Sequence, residues 1–595
     1  MQEVNEAPLA APITAGSLTD SVVEHAVKHP DQTALRRHVD GTWTDVSAKQ
    51  FHDEVVALAK GLIAAGIGHG DRIAIMSATR YEWTLADYAG WFVGATVVPI
   101  YETSSAEQVE WILSDAGCIG VFLEADRHKQ TFAEVADRVP TKHVWVLDEG
   151  AVDELTAAGA DVADDEVEAR RAAVEPADVA TIIYTSGTTG RPKGCILTHS
   201  NLRFDVDNTV EGVPDLFDAS ASTLLFIPLA HVFGRVIEIG CIESGTVLGH
   251  TSDVKNIVPL LGEFQPTFLL SVPRVFEKVY NSARMKAVAD GKGRIFDAAA
   301  NTAIDYSKSL DTGGPSLILR AKHMLFDRLV FGKLRAALGG HVKYAVSGGA
   351  PLGARLGHFF RGIGVTILEG YGLTETSAAS TLNRPDAIRI GSVGRPIPGA
   401  SVKIADDGEV LLKGGQIFEG YWKNEKATDD VLEPDGWFHS GDIGELDDQG
   451  FLRITGRKKE IIVTAGGKNV APAVLEDRIR AHWLVSQCMV VGDNKPFIAA
   501  LVTLDPEGVP TWLEQHDLPA DTPVADLAAN PALVAEIQAA IDDANKAVSH
   551  AEAIKKFQIL TVDWTEEGGQ LTPSMKLKRN VVMAEFGEDV EALYA

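Results

Sequence analysis

Tyr184-Thr-Ser-Gly-Thr-Thr-Gly-Arg-Pro-Lys-Gly194 is the stretch on which the reading of this chain turns. Thr181 to Tyr184 end an apolar run, and Thr185, Ser186, Gly187, Thr188, Thr189 and Gly190 follow it without one bulky side chain. Small residues let backbone N–H groups close around a polyphosphate; hydroxyls add donors, and Lys193 adds a mobile positive charge. A P-loop of the GxxxxGK[ST] kind is excluded, because Pro192 precedes the lysine and Gly194 follows it. A strand running into a phosphate-gripping loop predicts an α/β domain.

Working outward, the first two-thirds of the chain alternates β-branched runs with amphipathic stretches. Arg72 to Ser77, Val121 to Leu123, His143 to Leu147, Ala180 to Tyr184 and Val342 to Val346 read as buried parallel strands. Ala48 to Ala65 places apolar residues at i, i+3, i+4 and i+7, the spacing of a helix packed on one face. From about Gly399 the texture changes to short strands with turn signals, Asp406-Asp407-Gly408 reading as a hairpin turn. A fresh mixed segment begins after Arg457. The expected architecture is a large N-terminal domain of parallel-sheet α/β layers over 1–457, with a small β-rich subdomain at about 385–456. A small, mobile α+β C-terminal domain over 458–595 completes it.

At 595 residues the chain has room for two to four domains, and 45% hydrophobic with 23% charged residues is a globular composition. With 83 acidic against 54 basic residues the formal charge is −29, which argues against a nucleic-acid partner. Cys118, Cys195, Cys241 and Cys488 are far apart and match no zinc or disulfide spacing, so a reducing, cytoplasmic setting is expected. The N-terminus lacks a signal-peptide pattern, and the longest apolar run, Tyr88 to Ile100, is too short to span a bilayer. Peripheral contact with the inner membrane face stays open.

Four further stretches follow in order: Gly370-Tyr-Gly-Leu-Thr-Glu-Thr376, Gly436-Trp-Phe-His-Ser-Gly-Asp442, Gly456-Arg-Lys-Lys-Glu460 and Leu571-Thr-Pro-Ser-Met-Lys576. Together with the phosphate loop this ordered set resembles the adenylate-forming superfamily of acyl-CoA synthetases, luciferases and peptide-synthetase adenylation domains. The resemblance spans most of the chain. It implies activation of a carboxylic acid by ATP and Mg²⁺ as an acyl-AMP, followed by transfer to a thiol.

Residue by residue, the resemblance carries specific expectations. Tyr371, between Gly370 and Gly372, is free to lay its ring against an adenine face; alone, Gly-Tyr-Gly also reads as a turn. Thr374 and Glu375 are candidate catalytic residues, Glu375 as a hard oxygen ligand for Mg²⁺ with Thr185 holding the same metal. Gly349 and Ala350, in Ser347-Gly-Gly-Ala-Pro351, let backbone approach the adenine. Asp442 would accept the ribose hydroxyls, although an Asp in such a turn also serves as a backbone cap. Arg457 would hold the same sugar or the phosphate from beyond the hinge. Lys576 is the expected catalytic cation, because the reaction joins a carboxylate to a phosphate and a positive charge between them stabilises the transition state. In isolation Lys576, Lys578 and Arg579 equally suit a solvated basic face. The family usually carries glycine before this lysine, and Met575 stands there. Lys459 matches the pivot about which the C-terminal domain rotates between half-reactions.

For the acid, Phe226 to Gly249 resembles long-chain fatty acyl-CoA synthetases, as does Ser271 to Lys278. The resemblance puts His231 beside the acyl carboxylate and Phe233 in the acyl site; the alternative is an interior histidine on a core helix. A long apolar tunnel would gain about 0.8 kcal/mol per buried methylene. Coenzyme A is the expected acceptor, with no recognisable insertion between Phe451 and Val470. A fatty acyl-AMP ligase serving a separate carrier protein is the second reading. Val463 stands where some relatives carry a lysine used in thioester formation.

Overall fold

Strand Arg72–Met76 shows how the chain layers itself, because its side chains alternate between two separate apolar cores. Ile73 and Ile75 enter one core, while Ala74 and Met76 enter another on the opposite face. Strands buried on both faces need apolar residues throughout, hence the unbroken runs in the sequence. The structure, a computed structural model, describes residues 2–185, 191–572 and 575–595.

Arg72–Met76 belongs to a seven-stranded sheet that runs Gly420–Tyr421, Lys193–Thr198, Val179–Thr185, Thr96–Ile100, Arg72–Met76, Gly120–Leu123 and His143–Val146. The last five strands are mutually parallel. A second sheet carries parallel Phe268–Ser271, Tyr344–Ser347 and Thr366–Tyr371, then two short antiparallel strands. Its residues alternate likewise: Phe268, Leu270, Val346 and Leu368 join Ile73 and Ile75, whereas Leu269, Ala345 and Ile367 fill a third core. Helices occupy all three cores. Ala106–Ala116 lies outside the first sheet; Ala48–Ala64, Tyr81–Phe92 and Val232–Ser244 lie between the sheets; Pro273–Ala289, Gly293–Leu310 and Ala354–Gly362 lie outside the second. The result is the expected α/β layering, helix–sheet–helix–sheet–helix.

The turn at Gly408, with φ of 86°, joins strands Ser401–Ile404 and Glu409–Lys413 as a hairpin. These pair onward to Phe438–Leu446 and Leu452–Arg457. The sheet also recruits Glu3–Asn5, which the sequence did not announce, antiparallel to Ser401–Ile404. Beyond it, Val485–Val491, Ile498–Leu504 and Ile554–Ile559 form a three-stranded sheet with helices on both faces. The apolar clusters of this part contain only residues from 462 onward, and those of the larger part none beyond 454. Among the described residues no helix is long and apolar enough to cross a membrane.

Candidate active site

Several of the residues singled out in the sequence stand at the C-terminal ends of parallel strands, where open α/β sheets form their ligand crevice. Thr185 ends Val179–Thr185, Ser347 ends Tyr344–Ser347 and Tyr371 ends Thr366–Tyr371. Ser186, Gly187, Thr188, Thr189 and Gly190 lie outside the described residues. The loop that holds them connects antiparallel strands, with Thr185 opposite Lys193. Its base is fastened by Trp111, whose Nε1 donates to Pro192 O at 2.9 Å while Arg191 sits over the same ring at 4.8 Å.

Glu375 lies in a short 3₁₀ turn, Thr374–Thr376, pinned on two sides. Leu373 N–H donates to Thr376 Oγ1 at 3.0 Å, and Phe418 N–H donates to Glu375 O at 2.9 Å. Thr374 is half-buried beside it. Ser377 and Ala378, with φ of 54° and 102°, turn the chain sharply back, which brings the Ala378 carbonyl against Gly372. A Cβ on Gly372 would stand 1.5 Å from that oxygen. The glycine after Tyr371 is therefore required by backbone packing as well as by access to the Tyr371 ring.

Tyr421 was not anticipated. Its hydroxyl donates to Glu375 Oε1 at 2.8 Å, and Lys193 Nζ lies 4.6 Å from its ring centroid. Burial and then the Glu375 charge hold its phenol well above the ordinary value, so it stays a donor. Cys195, opposite Tyr421 in the sheet, approaches Thr185 Oγ1 at 3.9 Å. Its thiol is likewise kept neutral by burial and by Glu375. Thr185, Lys193, Glu375 and Tyr421 thus form one cluster. The only sequence signal for Tyr421 was an aromatic pair after Gly420, and nothing local tells which strand it faces.

A second cluster is built on Asp442, which is buried. Tyr371 Oη donates to Asp442 Oδ2 at 2.6 Å, and Arg457 Nε donates to Oδ1 at 2.8 Å. The strand register places Asp442 directly opposite Arg457. Burial and then the Asp442 charge hold the Tyr371 phenol far above its usual range. Each carboxylate oxygen retains a second lone pair for an incoming hydroxyl.

His231 caps helix Val232–Ser244, its Nδ1 accepting from Phe233 N–H at 3.1 Å. Burial and then the positive charge of Lys576 lower its pKa to about 3, so the ring is neutral and its proton resides on Nε2. Phe233 packs against the Ser347-to-Pro351 loop: a Cβ on Gly348 would lie 3.2 Å from the Phe233 ring. Gly349 has φ of 80°, and Ala350 is exposed next to it. Leu352 N–H, just beyond, donates to buried Glu369 Oε1 at 3.0 Å, and burial pushes that carboxyl to about 7. Glu369 also escaped the sequence reading.

Lys576 comes from the C-terminal part and faces this crevice, accessible to water from the cleft yet walled in by protein. Burial and then Arg457 lower its pKa; Asp442, Glu375 and Glu460 oppose them. Lys576 O accepts from Thr572 N–H at 2.8 Å and Lys576 N–H donates to Thr572 Oγ1 at 3.0 Å, closing a tight turn. Met575 carries φ of 61° in that turn, the left-handed region that glycine enters freely. Arg457, Lys458, Lys459 and Glu460 link the two parts. Lys458 Nζ pairs with Asp407 and Glu409 of the β-rich sheet at 2.6 and 3.0 Å. Glu460 faces Arg579 of the C-terminal part at 3.8 Å. Lys459 between them is exposed and, among the described residues, makes no ion pair.

A crevice at the carboxyl ends of parallel strands, faced by a lysine from a separate smaller part, is the arrangement of a two-part nucleotide-using enzyme. The chain belongs to the AMP-binding enzyme family: residues 22–422 match the family's AMP-binding enzyme model, and 459–595 match its C-terminal domain. Its relatives include the long-chain-fatty-acid–CoA ligase FadD15 of Mycobacterium bovis, 54% identical with 99% of this chain and 100% of that protein covered. They include also the long-chain-fatty-acid–CoA ligase ACSBG2 of Xenopus laevis, 31% identical over 98% of this chain and 84% of that protein. The A-PCP didomain of carboxylic acid reductase from Segniliparus rugosus shares the fold, with TM-score 0.75 and 23% identity over 98% of this chain and 82% of that one.

Proposed function

We propose that this chain joins a long-chain fatty acid to coenzyme A at the expense of ATP, through an acyl-AMP intermediate and with release of pyrophosphate. The observation that carries the reading is Lys576 held over a cleft shared by Asp442, Arg457, Glu375 and His231. The two full-length FadD15 relatives, both above half identity, favour the CoA ligase over the acyl-AMP ligase.

In the first half-reaction a fatty carboxylate oxygen attacks the α-phosphorus and pyrophosphate leaves. Lys576 sits between the two anions and offsets the charge that develops as they approach. Neutral His231 donates from Nε2 to the carboxylate without adding a charge that would lower its nucleophilicity. Asp442 accepts the ribose hydroxyls, with Tyr371 and Arg457 fixing its two oxygens. Tyr371 presents its ring to the adenine, and Gly349, Ala350 and Gly370 let backbone close around it. Lys193, lifted over the Tyr421 ring, reaches the departing phosphates with Thr185 and the loop that follows.

Glu375 and Thr185 fit Mg²⁺: both offer hard oxygens, and Tyr421 donates to Oε1 of Glu375. The ion, when bound, neutralises phosphate charge as pyrophosphate leaves. In the second half-reaction the coenzyme A thiol attacks the acyl carbonyl and AMP departs. Lys576 has no part in that step, so the C-terminal domain can turn about Lys459 and present another face. The test is Lys576→Ala, assayed in each half-reaction. Adenylate formation should fall by about 10² to 10³ while thioester formation from supplied acyl-AMP persists. Equal losses in both steps sink the assignment.

A further inference from the structure

Helix Leu317–Phe326 and the π-helical turn Asp327–Phe331 that follows it carry large apolar side chains that are exposed. Leu317, Ile318, Met324, Leu325 and Leu329 are 82, 73, 67, 56 and 51% exposed. Among the described residues no other short stretch exposes so many large apolar groups.

The helix has two apolar faces, and only one is used. Inward, His323 Nε2 bonds the Gly362 carbonyl at 2.6 Å and stacks on Tyr306 at 3.9 Å, while Phe326 and Val330 pack on the third core. Those contacts fix the helix's rotation about its axis. Outward, at 3.6 residues per turn, Leu317, Ile318, Ala321, Met324 and Leu325 fall within an arc of about 120°. Lys322 and Arg320 border this arc, one on each side, and Arg328 and Lys333 continue the basic margin. From 317 to 335 there are five basic residues against one acidic, in a chain of net charge −29. The single acid, Asp327, is paired with Arg335 at 2.7 Å. Arg320, Lys322, Arg328 and Lys333 form no ion pair among the described residues.

We propose that this face is a docking surface for an anionic lipid bilayer, which the helix meets lying flat. A ridge of leucine-sized side chains edged by lysine and arginine is the chemistry of an interfacial helix: the apolar arc enters the acyl boundary and the basic margin meets phosphate headgroups. Charge complementarity selects this occupant over a second copy of the chain. A two-fold contact would bring the same four unpaired cations of both copies together. It also resolves the problem that an acidic protein is repelled by an anionic membrane, because the basic margin offers it a single attractive approach. The surface serves the fatty-acid reading above, on which its biological sense rests, since a long-chain acid partitions into bilayers.

The experiment is co-sedimentation of the full chain with vesicles of phosphatidylglycerol and phosphatidylcholine in equal parts, and with phosphatidylcholine alone. Binding is expected to the anionic vesicles and to weaken with salt. Ile318→Glu/Leu325→Glu should weaken it more than about 10-fold. Arg320→Gln/Lys322→Gln, which leaves the apolar ridge intact, should weaken it about 5-fold per charge removed. Both variants should retain wild-type acyl-CoA formation from dissolved octanoate, which reports that they are folded. Three results overturn the proposal: no wild-type binding to anionic vesicles, equal binding to both vesicle types, or binding unchanged in the variants. A dimer that Ile318→Glu/Leu325→Glu splits, with no vesicle binding, assigns the face to a second copy and overturns it too. Vesicle binding lost in the variants, in a protein that forms no acyl-CoA from any fatty acid, upholds the surface and removes the proposed reaction instead.

Discussion

Replacing Tyr421 by phenylalanine tests whether Glu375 is aimed by a neighbour that the sequence did not reveal. The change deletes one hydroxyl, at 2.8 Å from Glu375 Oε1, and keeps the ring over which Lys193 lies. A hydrogen bond to a charged acceptor contributes roughly 1.5–3 kcal/mol. Glu375 is only half-buried, so water replaces part of that bond, and the low end applies: about 1.5 kcal/mol, or roughly 10-fold in an equilibrium.

If the bond orients Glu375 toward Mg²⁺, the loss appears in metal dependence. ATP–pyrophosphate exchange, followed across Mg²⁺ concentrations at fixed ATP and fatty acid, should need roughly 10-fold more Mg²⁺ for half-maximal rate. Tyr421→Leu removes the ring as well. It forfeits a further 0.5–1 kcal/mol or so of cation–π attraction on Lys193 and should raise KM for ATP beyond the phenylalanine variant. Thioester formation from supplied acyl-AMP should be unaffected in both. Unchanged Mg²⁺ dependence in Tyr421→Phe, or a rise confined to KM for the fatty acid, refutes the positioning role.

Gly372→Ala should lower soluble yield or melting temperature sharply, because its Cβ would collide with the Ala378 carbonyl at 1.5 Å and rigid backbone cannot yield; a variant with native melting and ATP affinity would show that this turn relaxes freely. With Lys576 as the proposed cation, adenylate formation should lose rate as pH rises through a lysine pKa that burial and Arg457 have lowered, and keep it below that pKa. Arg457→Gln removes the repelling charge and frees Asp442, so the alkaline limb of the adenylation profile should move to higher pH even as the rate drops; a limb that stays in place belongs to another group. Lys459→Pro should leave adenylate formation within about 3-fold and slow thioester formation by 10-fold or more, since a fixed φ removes the pivot. Stopped-flow measurement of the two half-reactions separates these outcomes, and a variant with both steps intact places the pivot elsewhere.

Much of the layering was legible because strand burial is written in local chemistry. Arg72–Met76 and Val179–Thr185 are apolar on both faces and announce a sheet covered by helices, while Asp406-Asp407-Gly408 announces its own hairpin. What stayed hidden are pairings between residues distant in the chain. Glu3–Asn5 joins the β-rich sheet as an edge strand, a placement that backbone hydrogen bonds determine and side-chain pattern does not. Tyr421 meets Glu375 across strands, and Glu369 meets Leu352 across a loop; each looks ordinary in its own segment. The departure at Met575 was visible as an odd residue, but only the φ of 61° shows why glycine suits that turn.

The polar character of the contact between the two parts gives the hinge its physical sense. Among the described residues no apolar core spans it, and ties away from the hinge include the surface contacts of Arg274 with Asp505 at 2.6 Å, Lys278 with Glu507 at 2.9 Å and Thr103 with Glu566 at 2.5 Å. Exposed pairs of this kind contribute about 0–1 kcal/mol each, so parting them is inexpensive in free energy and salt-sensitive. Arg457 and Lys458, by contrast, are tied to Asp442, Asp407 and Glu409 on one side, and Glu460 faces Arg579 on the other. On the proposed mechanism, rotation would be concentrated on Lys459 between them. An apolar interface of equal size would hold Lys576 over the cleft too firmly for a second face to replace it. Weak polar docking around a well-anchored pivot is what the proposed two-step mechanism requires: strong enough to present the lysine, and weak enough to take it away.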